Sequence, residues 1–218
     1  MKKIILMIVV YLTFVVTIQA QTFKSTKIGK QVWMSENLNV DKFRNGVPIL
    51  ESKNVQEWND AMNNKIAAWC YYNYDSSNGP KHGKLYNDYA VHDSNGLAPK
   101  GWHIPTVTDW EDLGNFFGGY WKAGLELKSN EGWVEKGNGT NSSSFNALPS
   151  GKNQSGDFQD LGITGSWWSF NPKFTGKASF SGGSIGRRLS ANFKSNELSE
   201  IYSDGGQFKG YSVRCIKD

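Results

Sequence analysis

The sequence is poor in the residues that most often build metal centres and nucleic-acid surfaces. The 218-residue chain has 2 cysteines, 3 histidines and only 20% charged residues. No two of its histidines, His82, His92 and His103, are three or four residues apart, so they lack the spacing of paired zinc ligands. Beyond residue 20, no basic run is longer than Arg187-Arg188. The sequence therefore predicts no metal, no cofactor and no nucleic-acid partner.

Long apolar runs are also missing, except at the N-terminus. Lys2 and Lys3 precede an apolar stretch at 4–16, and residues 18–20 (Ile-Gln-Ala) are a suitable cleavage site. This order is typical of a secretory signal peptide over 1–20, with a retained anchor helix as the alternative. Removal of the two lysines from 24 basic residues leaves 22 against 20 acidic ones, a net charge of about +2. We expect residues 21–218 to form one secreted, periplasmic or cell-surface domain without a stable membrane span.

The two cysteines lie far apart in the chain. Cys70 and Cys215 each occur in a short apolar run that is typical of a strand. In an exported protein, an even number of cysteines favours a disulfide. Such a bond would close a loop over most of the domain and stabilise it by roughly 4–5 kcal/mol in the chain-entropy model. We therefore predict a Cys70–Cys215 disulfide; the alternative is two buried free thiols packed side by side.

Aromatic residues and glycine are abundant instead, with 9 Trp, 9 Tyr, 12 Phe and 24 Gly. With many Asn and Ser residues, this composition is typical of a domain rich in turns and not of a helical bundle. The segment 84–91 is compatible with a strand or with a helix. The other predicted elements are a hairpin over 22–28 and 31–34, a turn at Asn45-Gly46, helices over 54–62, 106–117 and 123–128, a strand at 67–74, and short apolar islands at 145–148, 166–170, 178–180 and 207–208.

One helix start is well defined by its sequence. Pro105 favours an extended residue before it, and Thr106 with Asp109 can then form a capping box. Thr108 begins an alternative match to the same box, two residues later. The apolar positions of this helix recur at helical spacing, at Trp110, Leu113 and Phe117. The pattern predicts an amphipathic helix that packs on a core.

Seven short motifs follow one another along the chain after residue 20. They are 69–73 (Trp-Cys-Tyr-Tyr-Asn), 83–87 (Gly-Lys-Leu-Tyr-Asn), 89–91 (Tyr-Ala-Val), 96–106 (Gly-Leu-Ala-Pro-Lys-Gly-Trp-His-Ile-Pro-Thr), 139–149, 167–169 (Trp-Trp-Ser) and the tail 212–218. Together they resemble the Fibrobacter succinogenes major paralogous domain, a family of exported bacterial proteins that is frequent in Bacteroidetes. The chain departs from that family at Asp88, where a Trp is usual, and over 170–210, which lacks the usual run of aromatic residues.

That family is similar in turn to the C-type-lectin-like and formylglycine-generating-enzyme folds. The resemblance implies an α+β domain with a small twisted antiparallel sheet, about two helices and a long-loop region, in which a final Arg-containing strand pairs near the N-terminal one. It implies no activity. Formylglycine-generating enzymes need two closely spaced cysteines, which are absent. Calcium-dependent lectins need a partner tripeptide for a motif such as Trp58-Asn59-Asp60; because none precedes it, calcium stays an open option without support.

No set of catalytic residues converges in the sequence. The segment 182–186 (Gly-Gly-Ser-Ile-Gly) matches the nucleophile-elbow pattern, but all three histidines precede Ser184, contrary to the hydrolase order. Asp109 and Asp112 share a helix face, where acidic residues near a helix start interact favourably with the helix dipole. We therefore assign no catalytic residue and favour a protein that is not an enzyme.

The remaining functional signal is aromatic. Trp121, Trp133 and Trp168 lie beside Gly, Asn and Ser residues and not within long apolar stretches. A Trp ring can stack on a sugar ring, while polar neighbours such as Asn141 and Ser169 can bond its hydroxyls. We predict that at least two of these three rings are exposed beside one groove. The alternative is that the tryptophans belong to the core.

The sequence therefore favours an exported binding module that recognises a glycan or another cell-surface component through its loop region at 118–210. Two other classes stay open. One is a hydrolase that acts on polysaccharide or peptide with carboxylates that the sequence does not identify. The other is a structural or adhesive surface protein. A glycan screen combined with turnover assays separates them, because only an enzyme consumes its ligand.

Overall fold

The computed structural model describes residues 22–170 and 208–218, and the backbone alone of 185–190 and 199–202. The predicted signal peptide, the island at 178–180, residue 207 and Ser184 lie outside the described residues. In the described part, no helix is long and apolar enough to cross a membrane. The helices are α1 (Val55–Asn63), α2 (Gly79–His82), α3 (Asp88–Val91), α4 (Val107–Phe116) and α5 (Tyr120–Leu127). The strands are β1 (Ser25–Ile28), β2 (Gln31–Met34), β3 (Leu50–Glu51), β4 (Ala68–Cys70), β5 (Leu85–Asn87), β6 (Trp102–His103), β7 (Ser150–Gln154), β8 (Asp157–Leu161), β9 (Thr164–Ser169), β10 (Ile185–Ser190), β11 (Ser199–Tyr202), β12 (Lys209–Tyr211) and β13 (Ile216–Lys217).

These elements form a mixed α and β fold with two sheets, one of four strands and one of nine. The predicted mixture of helices and strands is confirmed at this level, but the family resemblance implied only one small sheet and about two helices. Several of the additional elements are short. Helices α2 and α3 have four residues each, and strands β3, β6 and β13 have two. Elements of this length are too short to produce a recognisable period in the sequence.

The four-stranded sheet has the order β1-β2-β13-β6. Its first two strands form the predicted hairpin, in which Gly29 adopts a φ of +59° at the turn. Strand β13 pairs with both β2 and β6. In this pairing Ile216 lies opposite Trp33 on one side and His103 on the other. The C-terminal strand therefore returns to the N-terminal hairpin, and Arg214 lies just before it.

The nine-stranded sheet has the order β11-β10-β9-β7-β12-β5-β4-β3, with β8 pairing to β7. Strand β12 is central, since it pairs with β5 on one side and β7 on the other. Strands β12 and β13 are separated by only four residues. The segment 209–217 consequently supplies an inner strand to each sheet and connects the two.

The segment at 84–91 contains both structures between which its sequence did not decide. Strand β5 ends at Asn87, and α3 begins at the next residue. The Asn87 side chain accepts a hydrogen bond from the Ala90 N–H at 2.9 Å and so caps α3. The same oxygen accepts from the Ala68 N–H of β4 at 3.0 Å. One buried amide thus ends the strand, starts the helix and connects both to a neighbouring strand.

Helix α4 begins where its sequence predicts. Thr106 is the N-cap, its hydroxyl accepts from the Asp109 N–H, and the Asp109 carboxylate accepts from the Thr106 N–H at 2.8 Å. The alternative start at Thr108 is not used. Trp110 is fully buried and its ring lies 4.8 Å from that of Trp33 and 6.4 Å from that of Trp167. The helix therefore fixes the tryptophan core between the two sheets.

Candidate functional site

Only one of the three tryptophans predicted to bind ligand is exposed. Trp121, on α5, is 74% exposed, whereas Trp133 and Trp168 are 5% and 1% exposed. The Trp133 indole N–H donates to the Ser129 hydroxyl and to the Ala147 carbonyl, at 3.0 and 3.1 Å. The Trp168 indole N–H donates to the Tyr86 carbonyl at 2.7 Å. The polar neighbours thus satisfy buried indoles, and the predicted ring platform does not form.

The two polar residues predicted beside that platform have structural surroundings as well. Asn141 has a φ of +53°, and its side-chain oxygen accepts from the Asn146 N–H at 2.8 Å within its own loop. That loop covers the C-terminal end of α5, where the Thr140 N–H donates to the Leu125 carbonyl at 2.9 Å. Ser169 is fully buried in β9. The Asn141 side-chain oxygen is thus used within its own loop, and Ser169 is not accessible from the surface.

The predicted Cys70–Cys215 disulfide is not present, since both cysteines are free and buried. Cys70 packs with Trp58 and Met62 in one apolar cluster, whereas Cys215 belongs to the cluster around Met34. Cys70 ends β4 as predicted, whereas Cys215 lies just before β13, and these two strands belong to different sheets. Burial raises the pKa of the Cys70 thiol to about 12 and also raises the pKa of Cys215. Thiols of this kind are poor nucleophiles and poor metal ligands.

An open groove of about 430 Å³ lies where four chain segments meet. Its wall combines the turn at Arg44, the loop after α3, the segment from β6 to the start of α4, and Phe170 at the end of β9. We call it the Arg44 groove. Its apolar lining consists of Val91, Leu97, Ala98, Ile104 and Phe170. A mostly apolar concavity with a few polar groups at its margin is the usual form of a small-ligand site.

Phe170 provides the aromatic surface of the groove. Its N–H donates to the Pro105 carbonyl at 2.7 Å, which fixes the residue beside the start of α4. The ring stacks on the His92 imidazole with centroids 5.2 Å apart and an interplanar angle of 26°. His92 lies in turn 3.2 Å from Asp88. The half-buried Phe170 ring is therefore held in one orientation.

Arg44 is fixed at the opposite margin by the loop at 96–98. The turn that carries it is the predicted Asn45-Gly46 turn, in which Gly46 has a φ of +89°. The Arg44 N–H donates to the Gly96 carbonyl at 2.9 Å, and Nε donates to the Ala98 carbonyl at 3.0 Å. These two bonds hold the guanidinium against the loop, with its end towards solvent.

His103 lies between two carboxylates. Nδ1 is 2.8 Å from Oδ1 of Asp218, to which it donates, and Nε2 is 3.6 Å from Oδ2 of Asp109. The imidazole is 41% exposed and also lines the groove. The Asp109 carboxylate is already engaged by the backbone and hydroxyl of Thr106. The ring is thus oriented from the Asp218 side.

These polar groups do not form a catalytic triad. A triad places the histidine between the acid and the nucleophile, so that the imidazole can take the hydroxyl proton. Here the Thr106 hydroxyl donates to Asp109, and Asp109 separates it from His103. The described residues also contain no group of three His, Cys, Asp or Glu side chains placed to hold a metal ion. The arrangement is suited to hold a ligand by contacts and hydrogen bonds.

Sequence reasoning missed Arg44 and Phe170 as site residues. Their local signals were visible, because Arg44 precedes the predicted turn and Pro105-Thr106 marks the helix start on which Phe170 rests. What the sequence did not contain is their proximity. Thr106 and Phe170 are connected by an isolated parallel bridge between positions 64 residues apart. A contact of this range has no periodic signature.

Comparison with known families gives one match. The model of the Fibrobacter succinogenes major domain matches residues 26–217, which includes both sheets and every residue of the Arg44 groove. No curated protein and no solved structure matches the chain. The match contains all seven sequence motifs except the last residue of the tail, Asp218.

Proposed function

This chain belongs to the Fibrobacter succinogenes major domain family, and we propose that it is an exported binding module that recognises a glycan or another cell-surface component in the Arg44 groove. The observation that carries this proposal is the combination of a fixed aromatic ring with hydrogen-bonding groups across an open apolar concavity. Sugars require this combination, because their rings have apolar faces and their edges carry hydroxyls.

The residues divide this task between them. The Phe170 ring provides a stacking surface that is rigid because His92 supports it from behind. His103 and Arg44 provide hydrogen-bonding atoms at the margin, and each is already fixed by a bond to the protein. A site that is ordered before binding loses little conformational entropy when the ligand arrives. The groove replaces the tryptophan surface predicted from sequence.

Two finer features complete the proposal. We propose a C-type-lectin-like arrangement, supported by the pairing of the last strand with the N-terminal hairpin and by the Pro-Thr helix start. We also propose export through removal of residues 1–20, supported by their sequence pattern. N-terminal sequencing of the extracytoplasmic protein is expected to begin at Gln21. Recovery of a chain that begins at Met1 would contradict cleavage.

The decisive experiment is a glycan-array screen of the purified protein, followed by calorimetric titration of each ligand found. Phe170→Ala is expected to weaken affinity about tenfold through loss of ring stacking. Phe116→Ala is the matched control, because Phe116 is 57% exposed and does not line the groove. Equal effects of the two substitutions, or binding to no glycan, would contradict the proposal. Consumption of a bound glycan in a parallel turnover assay would favour a hydrolase instead.

A further inference from the structure

Arg44 is fixed in direction by a close approach that only glycine permits. Gly96 has a φ of +77°, and a Cβ at this position would lie 2.4 Å from Arg44 Nε. The guanidinium therefore rests on the backbone of the 96–98 loop, with Nε used by the Ala98 carbonyl. The two terminal nitrogens carry the other N–H donors of the planar guanidinium, and no hydrogen bond from them is found among the described residues. The guanidinium is thus held in place before any ligand binds.

The charge of Arg44 is not neutralised by a carboxylate within the described residues, whose ion pairs all involve other basic groups. Asp93 lines the same groove, but its Oδ1 accepts from the backbone and side-chain N–H groups of Asn95, both at 2.8 Å. Asp109 and Asp218 face His103. The acidic groups around the groove are thus engaged elsewhere, and Arg44 offers free charged donors.

We propose that the groove recognises sugars that carry a carboxylate, with the terminal nitrogens of Arg44 holding the carboxylate of a uronic-acid unit. The inference rests on the proposed function, since it names the chemical class of glycan for the same site. A guanidinium binds a carboxylate through two parallel N–H···O bonds, and such charge-assisted pairs are stronger than bonds to neutral oxygens. A uronic acid presents this carboxylate on the edge of the ring whose face would stack on Phe170.

His103 gives the same ligand a second polar contact. Nδ1 is hydrogen-bonded to Asp218. Nε2 is 3.6 Å from Asp109, beyond hydrogen-bond distance, and is therefore open to a sugar hydroxyl. The groove thus offers a cationic fork, a ring face and a ring nitrogen that can bond a hydroxyl, three groups that a uronic acid matches together.

The test compares each acidic oligosaccharide with its own methyl ester, which keeps the ring and hydroxyls and removes only the charge. Oligomers of galacturonate, glucuronate and mannuronate are titrated by calorimetry into the full secreted protein at two salt concentrations. The wild-type protein is expected to bind at least one acid about tenfold more tightly than its ester, with the preference decreasing at high salt. In Arg44→Gln the ratio of the two affinities is expected to fall to near one.

Two further variants distinguish the contribution of the planar guanidinium from that of positive charge alone. Lys42→Gln removes a nearby exposed positive charge that does not line the groove, and it is expected to retain the wild-type ratio. Arg44→Lys keeps the charge without the planar fork and is expected to lose most of the preference. Circular dichroism and thermal melts of Arg44→Gln confirm folding independently of binding.

Each remaining outcome overturns the inference in a recognisable way. Equal affinity for acid and ester, or a preference that persists in Arg44→Gln, rejects carboxylate recognition by Arg44 but leaves glycan binding intact. Failure of all three acids while neutral array glycans bind has the same meaning. Failure of the acids, the esters and the array together rejects the proposed function as well.

Discussion

The chain uses arginine in opposite ways in two regions. Arg214 is fully buried between the sheets, with its guanidinium 4.4 Å from the Phe145 ring and 5.6 Å from the Trp167 ring. Its terminal nitrogens donate to the Asn37 side chain at 2.7 Å and to the Phe145 carbonyl. Within the described part of the chain, the Arg44 guanidinium bonds only through Nε, and the residue lines an open groove.

The buried arginine contributes to the fold, whereas the arginine at the groove keeps donors that a ligand can use. Burial lowers the pKa of Arg214 to about 9, because a cation removed from water loses its hydration. The surrounding carbonyl and amide oxygens and ring faces offset part of that cost. The interior therefore uses the terminal donors of its arginine and leaves Nε without a partner among the described residues, whereas the groove leaves the terminal donors available. Whether a polar group can act on a ligand depends on how many of its bonds the fold has already used.

The largest effect is expected in the interior, at Trp110. Trp110→Ala should lower the free energy of unfolding by about 3–5 kcal/mol, because it leaves a cavity among Trp33, Phe145 and Trp167. Trp121→Ala is the matched control on the exposed side and should cost less than about 0.5 kcal/mol. Urea melts of both variants provide the measurement. A neutral Trp110→Ala would show that the interior does not depend on close packing.

The two arginines provide the next test. Arg214→Ala removes ring packing and leaves buried acceptors without donors, so it should lower the free energy of unfolding by about 3 kcal/mol. Arg44→Ala loses one part-buried hydrogen bond of an exposed residue and should cost about 1 kcal/mol or less. Denaturant melts under identical conditions compare them. If the two variants are equally destabilised, the contrast between the regions is wrong.

Alkaline pH tests the interior through its thiols. An unfolded thiol has a pKa of about 9, and burial raises the pKa of both Cys70 and Cys215 in the folded state. Above pH 9 the folded protein therefore keeps the protons on both thiols. The unfolded state then binds fewer protons, so stability falls as pH rises above 9, by about 1.4 kcal/mol per pH unit for each thiol. A Cys70→Ala and Cys215→Ala double variant should show a shallower fall between pH 9 and 10.5. An unchanged slope would mean that the thiols are exposed or disulfide-bonded.

Helix α4 belongs to both regions, since its cap lines the groove and Trp110 lies in the interior. Thr106→Ala should cost about 1 kcal/mol by removing the N-cap side chain. Thr108→Ala removes the hydroxyl of the unused alternative cap and should change stability by less than about 0.5 kcal/mol. Thermal melts of the two variants distinguish them. A larger effect at Thr108 would indicate that the helix begins at Thr108, and the groove wall formed by the helix start would then lie elsewhere.

Local chemistry made the helix start predictable, but it did not reveal which tryptophans are buried. The Thr106–Asp109 box, the hairpin at Gly29 and the family match all follow from adjacent residues. In β9, by contrast, all six residues from Thr164 to Ser169 are buried, so polar and aromatic side chains are enclosed together without alternation. Gly and Ser beside Trp168 therefore suggested a surface loop where the fold has an inner strand.

The groove could not be predicted for a related reason. Arg44, Gly96, His103 and Phe170 come from four segments, and bonds that connect distant positions bring them together. Asp88, singled out because the family usually has Trp there, proved to stand behind the His92–Phe170 stack. The sequence thus located a departure from the family without showing what surrounds it.

The most direct test of the central claim is a nuclear magnetic resonance titration of the ¹⁵N-labelled protein with the tightest-binding glycan. Binding in the Arg44 groove predicts that the largest shift changes occur at the backbone amides of 93–98, at those of His103, Ile104 and Thr106, and at Arg44 Nε–H. The indole N–H of Trp121 should not move. If the Trp121 indole and the amides of α5 shift most while the groove amides stay unchanged, ligand binds on the exposed tryptophan and the account of the groove is contradicted.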